Sequence, residues 1–144
     1  SDNNIRIYSL EDFSLKQVIS GHTLSVFTVK YSPDFKFLFS GSRDAHLKIW
    51  DCWNHYSLHQ SIVAHMYAIN HIDFSPDAAL FATASMDKTV KIWDMRALKL
   101  LKVIDKSRYQ GHATSVNRVL WTSFPNKLLS ASDDKSICLW EVER

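Results

Sequence analysis

The sequence is short of the residues that several kinds of chemistry require. It holds three glycines in 144 residues and no Gly-rich run, so no loop is suited to cradle a phosphate. Proline also occurs three times, twice in Ser-Pro-Asp turn signals at Ser32-Pro33-Asp34 and Ser75-Pro76-Asp77. Neither sign of charge dominates: 17 Lys and Arg stand against 15 Asp and Glu. The net charge of +2 argues against nucleic acid or an anionic membrane surface as a partner. No apolar run approaches the length of a membrane-spanning helix, and no signal-peptide pattern opens the chain. No nucleophile elbow and no paired catalytic carboxylates are identifiable. Cysteine occurs twice, at Cys52 and Cys138, and free thiols without a secretory signal point to an intracellular compartment.

What the sequence does hold is a repeat. Ser40 to Asp51 reads SGSRDAHLKIWD, returns as TASMDKTVKIWD from Thr83 to Asp94, and returns again as SASDDKSICLWE from Ser130 to Glu141. Before each copy stands a small residue and a histidine: Gly21-His22, Ala64-His65 and Gly111-His112. The histidine-to-tryptophan distance is 28 residues every time, while successive tryptophans are 43 and then 47 residues apart. The four extra residues fall before Gly111, in the polar stretch Asp105 to Gln110. A period in the forties with Gly-His and Trp-Asp signatures marks a propeller blade. Over nearly its whole length the chain resembles the WD-repeat family of β-propellers. The resemblance implies an all-β fold, a partial β-propeller of four-stranded antiparallel blades amounting to about half of a seven-bladed ring.

Aligning the copies gives four strands per period. Val26, Val29 and Tyr31 open the first, Leu38 and Phe39 the second, and Leu47 and Ile49 precede the tryptophan of the third. A more polar fourth run precedes each histidine at Lys16–Ile19, Leu58–Val63 and Leu100–Ile104, as suits an outer edge strand. Asp2 to Tyr8 fits the third-strand spacing, with Tyr8 in the tryptophan position and Ser9 in that of the aspartate. The expected organisation is therefore strands three and four of one blade over 1–20, whole blades over 21–63 and 64–110, and three strands of a last blade over 111–144. The chain begins at Ser1 rather than methionine, and the expectation is the C-terminal half of a ring whose remainder is absent. Cys52 and Cys138 then lie two blades apart and do not bridge. The first and last blades expose apolar faces of about several hundred Å², which self-association or the missing propeller half must cover.

Each copy carries a histidine, a hydroxyl, an aspartate and a tryptophan at fixed spacing: His22, Ser40, Asp44, Trp50; His65, Thr83, Asp87, Trp93; His112, Ser130, Asp134, Trp140. Ser, His and Asp together suggest a hydrolase triad. A catalytic site is rarely built three times, however, and no oxyanion loop accompanies the serines. The competing reading is a buried chain of hydrogen bonds from aspartate to histidine to hydroxyl to indole, and the family resemblance implies this structural role. Cys52, His55 and His59, with His46 nearby, have zinc-like spacings, but they fall at a strand end and in a loop, and the other copies offer no equivalent. No metal, no cofactor and no enzyme activity are expected.

Binding is what remains. In this family the residue before the tetrad aspartate and the residue five after the histidine line the upper rim. Carried over, these are Arg43, Met86 and Asp133, with Phe27, Asn70 and Asn117. Taken as pairs they differ in every copy, whereas the structural positions repeat, which is what a binding surface on a rigid scaffold needs. The expected function is a protein–protein interaction scaffold that binds a peptide or partner protein on the rim, with Phe27, Arg43 and Met86 as anchors. The alternatives are an assembly module whose blade faces oligomerise and a propeller-platform enzyme completed by the missing half. The expected location is the cytoplasm, with the nucleus as the alternative.

Overall fold

The computed structural model describes residues 2–144; Ser1 lies outside the described residues. Thirteen strands form four antiparallel sheets, each built from strands consecutive in sequence. The first sheet joins β1 (Ile5–Tyr8) and β2 (Leu15–Ile19). The second holds β3 (Val26–Tyr31), β4 (Phe37–Ser42), β5 (His46–Asp51) and β6 (Ser57–Val63). The third holds β7 (Ile69–Phe74), β8 (Leu80–Ser85), β9 (Val90–Asp94) and β10 (Lys99–Ile104). The fourth holds β11 (Val116–Trp121), β12 (Lys127–Ser132) and β13 (Ile137–Glu141). This is a partial propeller, all-β but for one helical turn. No helix among the described residues is long and apolar enough to cross a membrane.

Local chemistry sets the turns. In the second sheet Ser32 Oγ donates to Asp34 at 2.6 Å and accepts from the Phe37 N–H at 2.9 Å, closing the β3–β4 turn. Ser75 does the same for Asp77 and Leu80 between β7 and β8. In each turn the residue after the aspartate, Phe35 or Ala78, takes a left-handed φ of 58°, which a non-glycine residue holds only where the surrounding bonds fix it.

The core lies between the sheets. Phe39, Leu47 and Ile49 of the second sheet pack against Ile69, Ile72, Phe81 and Trp93 of the third. Phe39 meets Phe81 edge-on, and Trp93 stacks on Phe81 with 5.8 Å between ring centroids. A second cluster joins Ala82, Val90 and Ile92 of the third sheet to Val116, Val119 and Leu128 of the fourth. Strands β8 and β4 are buried almost throughout, as strands covered on both faces must be.

The first strands of three successive sheets lie side by side, β7 packing against both β3 and β11. Polar side chains of β7 reach the edge of β11: Asn70 Nδ2 donates to the Val116 carbonyl at 2.8 Å, His71 Nδ1 to the Val119 carbonyl at 2.9 Å, and Asp73 Oδ2 accepts from the Trp121 N–H at 2.7 Å. Asp73, itself buried, also pairs with Lys30 of β3. These bonds fix the angle between neighbouring sheets and satisfy backbone groups that no strand pairs. One outcome differs from expectation. The extra residues before Gly111 do not form an open loop but a single turn, α1 (Lys106–Tyr109), whose first N–H groups are capped by Asp105 accepting from Arg108 N–H at 2.8 Å. Tyr109 is exposed, and the Lys102 ammonium of β10 sits 5.6 Å from its ring.

Candidate functional site

The three tetrads are assembled by the sheets in the same way. Each hydroxyl sits mid-strand on β4, β8 or β12, facing the tryptophan of the next strand, while the histidine arrives from the loop before the sheet and the aspartate from the hairpin turn. In the third sheet Trp93 Nε1–H donates to Thr83 Oγ1 at 3.0 Å, Thr83 lies 2.7 Å from His65 Nε2, and His65 Nδ1 lies 2.8 Å from Asp87. The corresponding distances are 2.9, 2.7 and 2.9 Å through Ser40 and His22, and 2.8, 2.7 and 3.1 Å through Ser130 and His112.

The proton inventory gives each chain one direction. Burial lowers the pKa of His22 and His65, outweighing the partial restoring pull of their carboxylate partners. Both are therefore neutral near pH 7, donating from Nδ1 to the aspartate and accepting at Nε2 from the hydroxyl, whose oxygen in turn accepts the indole N–H. Burial would raise Asp44, yet hydrogen bonds from His46 N–H, His22 and Thr23 N–H hold it below the usual carboxylate range. Asp87 is likewise raised by burial but held well down, chiefly by His65 and Thr89. Ser136, the Ala113 N–H and His112 hold Asp134 down. Every polar side-chain atom of the three tetrads has its partner. The hydroxyls of Ser40 and Thr83 belong to residues with no exposed surface, whereas a nucleophile must be reached by its substrate.

The rim positions owe their placement to a feature that sequence alignment alone did not show. Between the first and second strands of the second, third and fourth sheets the register slips by one residue, at Val26/Thr28, Ile69/His71 and Val116/Arg118. Phe27, Asn70 and Asn117 are the three unpaired bulge residues, and a bulge re-aims the side chain it carries. Opposite them, the N–H groups of Arg43, Met86 and Asp133 donate to the carbonyls of Ser25, Ala68 and Ser115 at 2.9, 3.0 and 3.2 Å, so each turn residue lies beside its own bulge. Phe27, Arg43, Met86 and Asp133 are exposed. Asn70 is half-buried and its amide is spent on Ser115 and Val116 of the next sheet, so it ties sheets together rather than standing free on the rim. Asn117 donates to Asp133 at 2.6 Å, which leaves the pair as one polar unit.

The residues with zinc-like spacing go separate ways. His59 stacks on Phe37, His46 Nδ1 donates to the Asp44 carbonyl, and the Cys52 thiol rests 3.9 Å from the Trp50 carbonyl. Among the described residues no group of three or more His, Cys, Asp or Glu side chains is placed to hold a metal ion. Cys52 and Cys138 are unbridged.

The family model described as "WD domain, G-beta repeat" matches residues 13–51, 56–94 and 104–141. The chain is 31% identical over 145 residues to the "Probable cytosolic iron-sulfur protein assembly protein 1" of Aspergillus fumigatus, a match covering 98% of this chain and 30% of that protein. It is 30% identical to the protein of the same name from Penicillium rubens, over 98% of this chain and 31% of that one. A shorter match, 39% identical over 51 residues, is to "Pre-mRNA-splicing factor PRP46" of Candida albicans, covering 35% of this chain and 13% of that protein. The chain thus spans about a third of the length of the curated relatives that it matches from end to end.

Proposed function

The chain belongs to the WD-repeat family, and from that premise we propose that it is a protein–protein interaction scaffold that binds a peptide or partner protein on its upper rim. The observation that carries this reading is the contrast between the two sets of repeated positions. The tetrads are alike in all three sheets and have all their bonds made internally, whereas the turn positions Arg43, Met86 and Asp133 differ in each and are exposed, and the bulge position changes from Phe27 to Asn70 and Asn117. A rigid frame that repeats and a surface that varies is how a scaffold acquires a partner. Exposed aromatic, methionine and arginine side chains, here Phe27, Met86 and Arg43, suit the centre of an interface. The tetrads act structurally and no catalysis is assigned to them. The relatives named as cytosolic iron–sulfur assembly proteins support an adaptor in such an assembly and a cytoplasmic location, as part of a ring that this chain fills about halfway.

Capture from native cytosol tests the reading. Proteins retained by the wild-type chain should be lost on Arg43→Ala and Met86→Ala while the urea unfolding midpoint stays unchanged. Retention by both variants would refute rim binding. A second reading, assembly through open sheet faces, is favoured by Leu120, Ile137 and Leu139 of the fourth sheet, all more than half exposed.

A further inference from the structure

The rim is not chemically uniform, and its second- and third-sheet portion narrows the ligand further. We infer that this portion takes a linear peptide segment whose apolar side chains are flanked by carboxylates. The inference rests on the rim reading above and adds the chemistry of the partner.

Four turns are tied into one continuous strip. Ser42 Oγ donates to the Leu24 and Ser25 carbonyls at 3.0 and 2.9 Å, and the Arg43 N–H also reaches Ser25. One residue past the tetrad aspartate, the Ala45 carbonyl accepts from Ala64 at 3.1 Å and His65 at 3.4 Å, which joins the second-sheet hairpin to the loop entering the third sheet. That loop is then fastened to the next hairpin by Met66 N–H donating to Asp87 at 3.2 Å and Met86 N–H donating to the Ala68 carbonyl at 3.0 Å. This strip presents Leu24, Phe27, Met66, Tyr67 and Met86. Met66 is 82% and Tyr67 62% exposed, and the other three are close to half exposed. Single exposed apolar residues are ordinary on a protein surface, but five on one hydrogen-bonded strip form a patch of the kind that marks an interaction site.

Charge then selects among apolar ligands. The carboxylates on the strip, Asp44 and Asp87, are buried and fully engaged in their tetrads. The formal charges that remain on or against the strip are cations: the Lys91 ammonium donates to the Ala64 carbonyl, whereas the side chains of Arg43 and Lys88 are exposed and make no hydrogen bond or ion pair among the described residues. On the fourth sheet the same rim positions become small and polar, Ala113 and Thr114, with an exposed carboxylate at Asp133. The apolar patch is therefore bordered by positive charge, whereas one sheet further on an exposed cation, Lys135, shares its hairpin with the exposed carboxylate of Asp133. An acidic flank pairs with Arg43 and Lys88 where a basic flank is repelled.

Selection from a phage-displayed library of short random peptides tests this, using the whole chain as bait. The expected winners combine Leu, Met or aromatic residues with Asp or Glu and are depleted in Lys and Arg. As synthetic peptides they should bind about tenfold more weakly to Arg43→Glu, retain affinity for Arg43→Lys, and be lost on Tyr67→Ser. Winners without acidic residues, or with basic ones, that are still lost on Met86→Ser would overturn the inference and leave the rim reading standing. Winners indifferent to Arg43→Glu, Tyr67→Ser and Met86→Ser would overturn both, as would a selection that enriches no sequence.

Discussion

Replacing Thr83 with valine removes one hydroxyl and changes the shape of the core almost not at all, so it isolates what the tetrad contributes. The residue has no exposed surface, and its Oγ1 serves both Trp93 Nε1–H at 3.0 Å and His65 Nε2 at 2.7 Å. Thr83→Val therefore leaves two groups, an indole N–H and an imidazole lone pair, without partners in a site that water does not reach. Each such group costs about 1–3 kcal/mol. Allowing for the small gain from burying a methyl in place of a hydroxyl, the expected loss is about 3 kcal/mol. Thr83→Ser is the informative control, because serine occupies the equivalent position at Ser40 and Ser130. It keeps the hydroxyl and gives up one buried methyl, about 1 kcal/mol. The order is the reverse of what burial of apolar area alone predicts, since valine is the more apolar replacement. Urea unfolding followed by tryptophan fluorescence measures both, with the comparison made at unchanged m-value. If Thr83→Val cost no more than Thr83→Ser, the hydrogen-bonded chain would contribute nothing beyond packing and the tetrad argument would fail.

Two further perturbations follow from the same geometry. His22 and His65 are held below their ordinary value of 6.5 by burial, so the unfolded chain takes up protons that the folded chain refuses. Their contribution is present in full above about pH 6.5 and is lost as pH falls below it, and the depressed carboxylates Asp44, Asp87 and Asp134 add a second loss once pH falls below about 3.8. Urea midpoints should decline between about pH 7.5 and pH 5; midpoints that stay level over that interval would contradict the assigned neutral histidines. Gly41 stands where the other copies have Ala84 and Ala131, yet Gly41→Ala should destabilise by about 1–3 kcal/mol. A Cβ there would lie 2.6 Å from Ile69 Cγ2 and 2.9 Å from Thr28 Cγ2. Combining it with Ile69→Ala, which removes the Cγ2 methyl, should cost less than the sum of the two single changes in a double-mutant cycle; strictly additive costs would show that the two side chains do not compete for the space.

The sequence by itself determined the repeat, the number and order of strands in each period, and the partners within each tetrad. These are legible because alternation, Ser-Pro-Asp turns and the fixed histidine-to-tryptophan distance are relations inside one period, and the period occurs three times. What tertiary structure decided lies between periods. Asn70, His71 and Asp73 bond to residues 46 to 48 positions away on β11; such a choice depends on which backbone groups the next sheet leaves unpaired, and no local pattern records it. Asn70 was thereby drawn off the rim, although its position in the repeat matches that of Phe27. The bulges at Phe27, Asn70 and Asn117 are the exception inside the period: each is a one-residue slip in backbone pairing between the first two strands of a sheet, which no residue pattern marks, and it sets the direction of the side chain it carries. The residues before Gly111 read as polar loop because nothing in the period calls for a helix there, and the Asp105 cap closed them into a turn. Contacts within a period repeat and can be read from spacing, whereas contacts across periods are made once each and exist only when the sheets have packed.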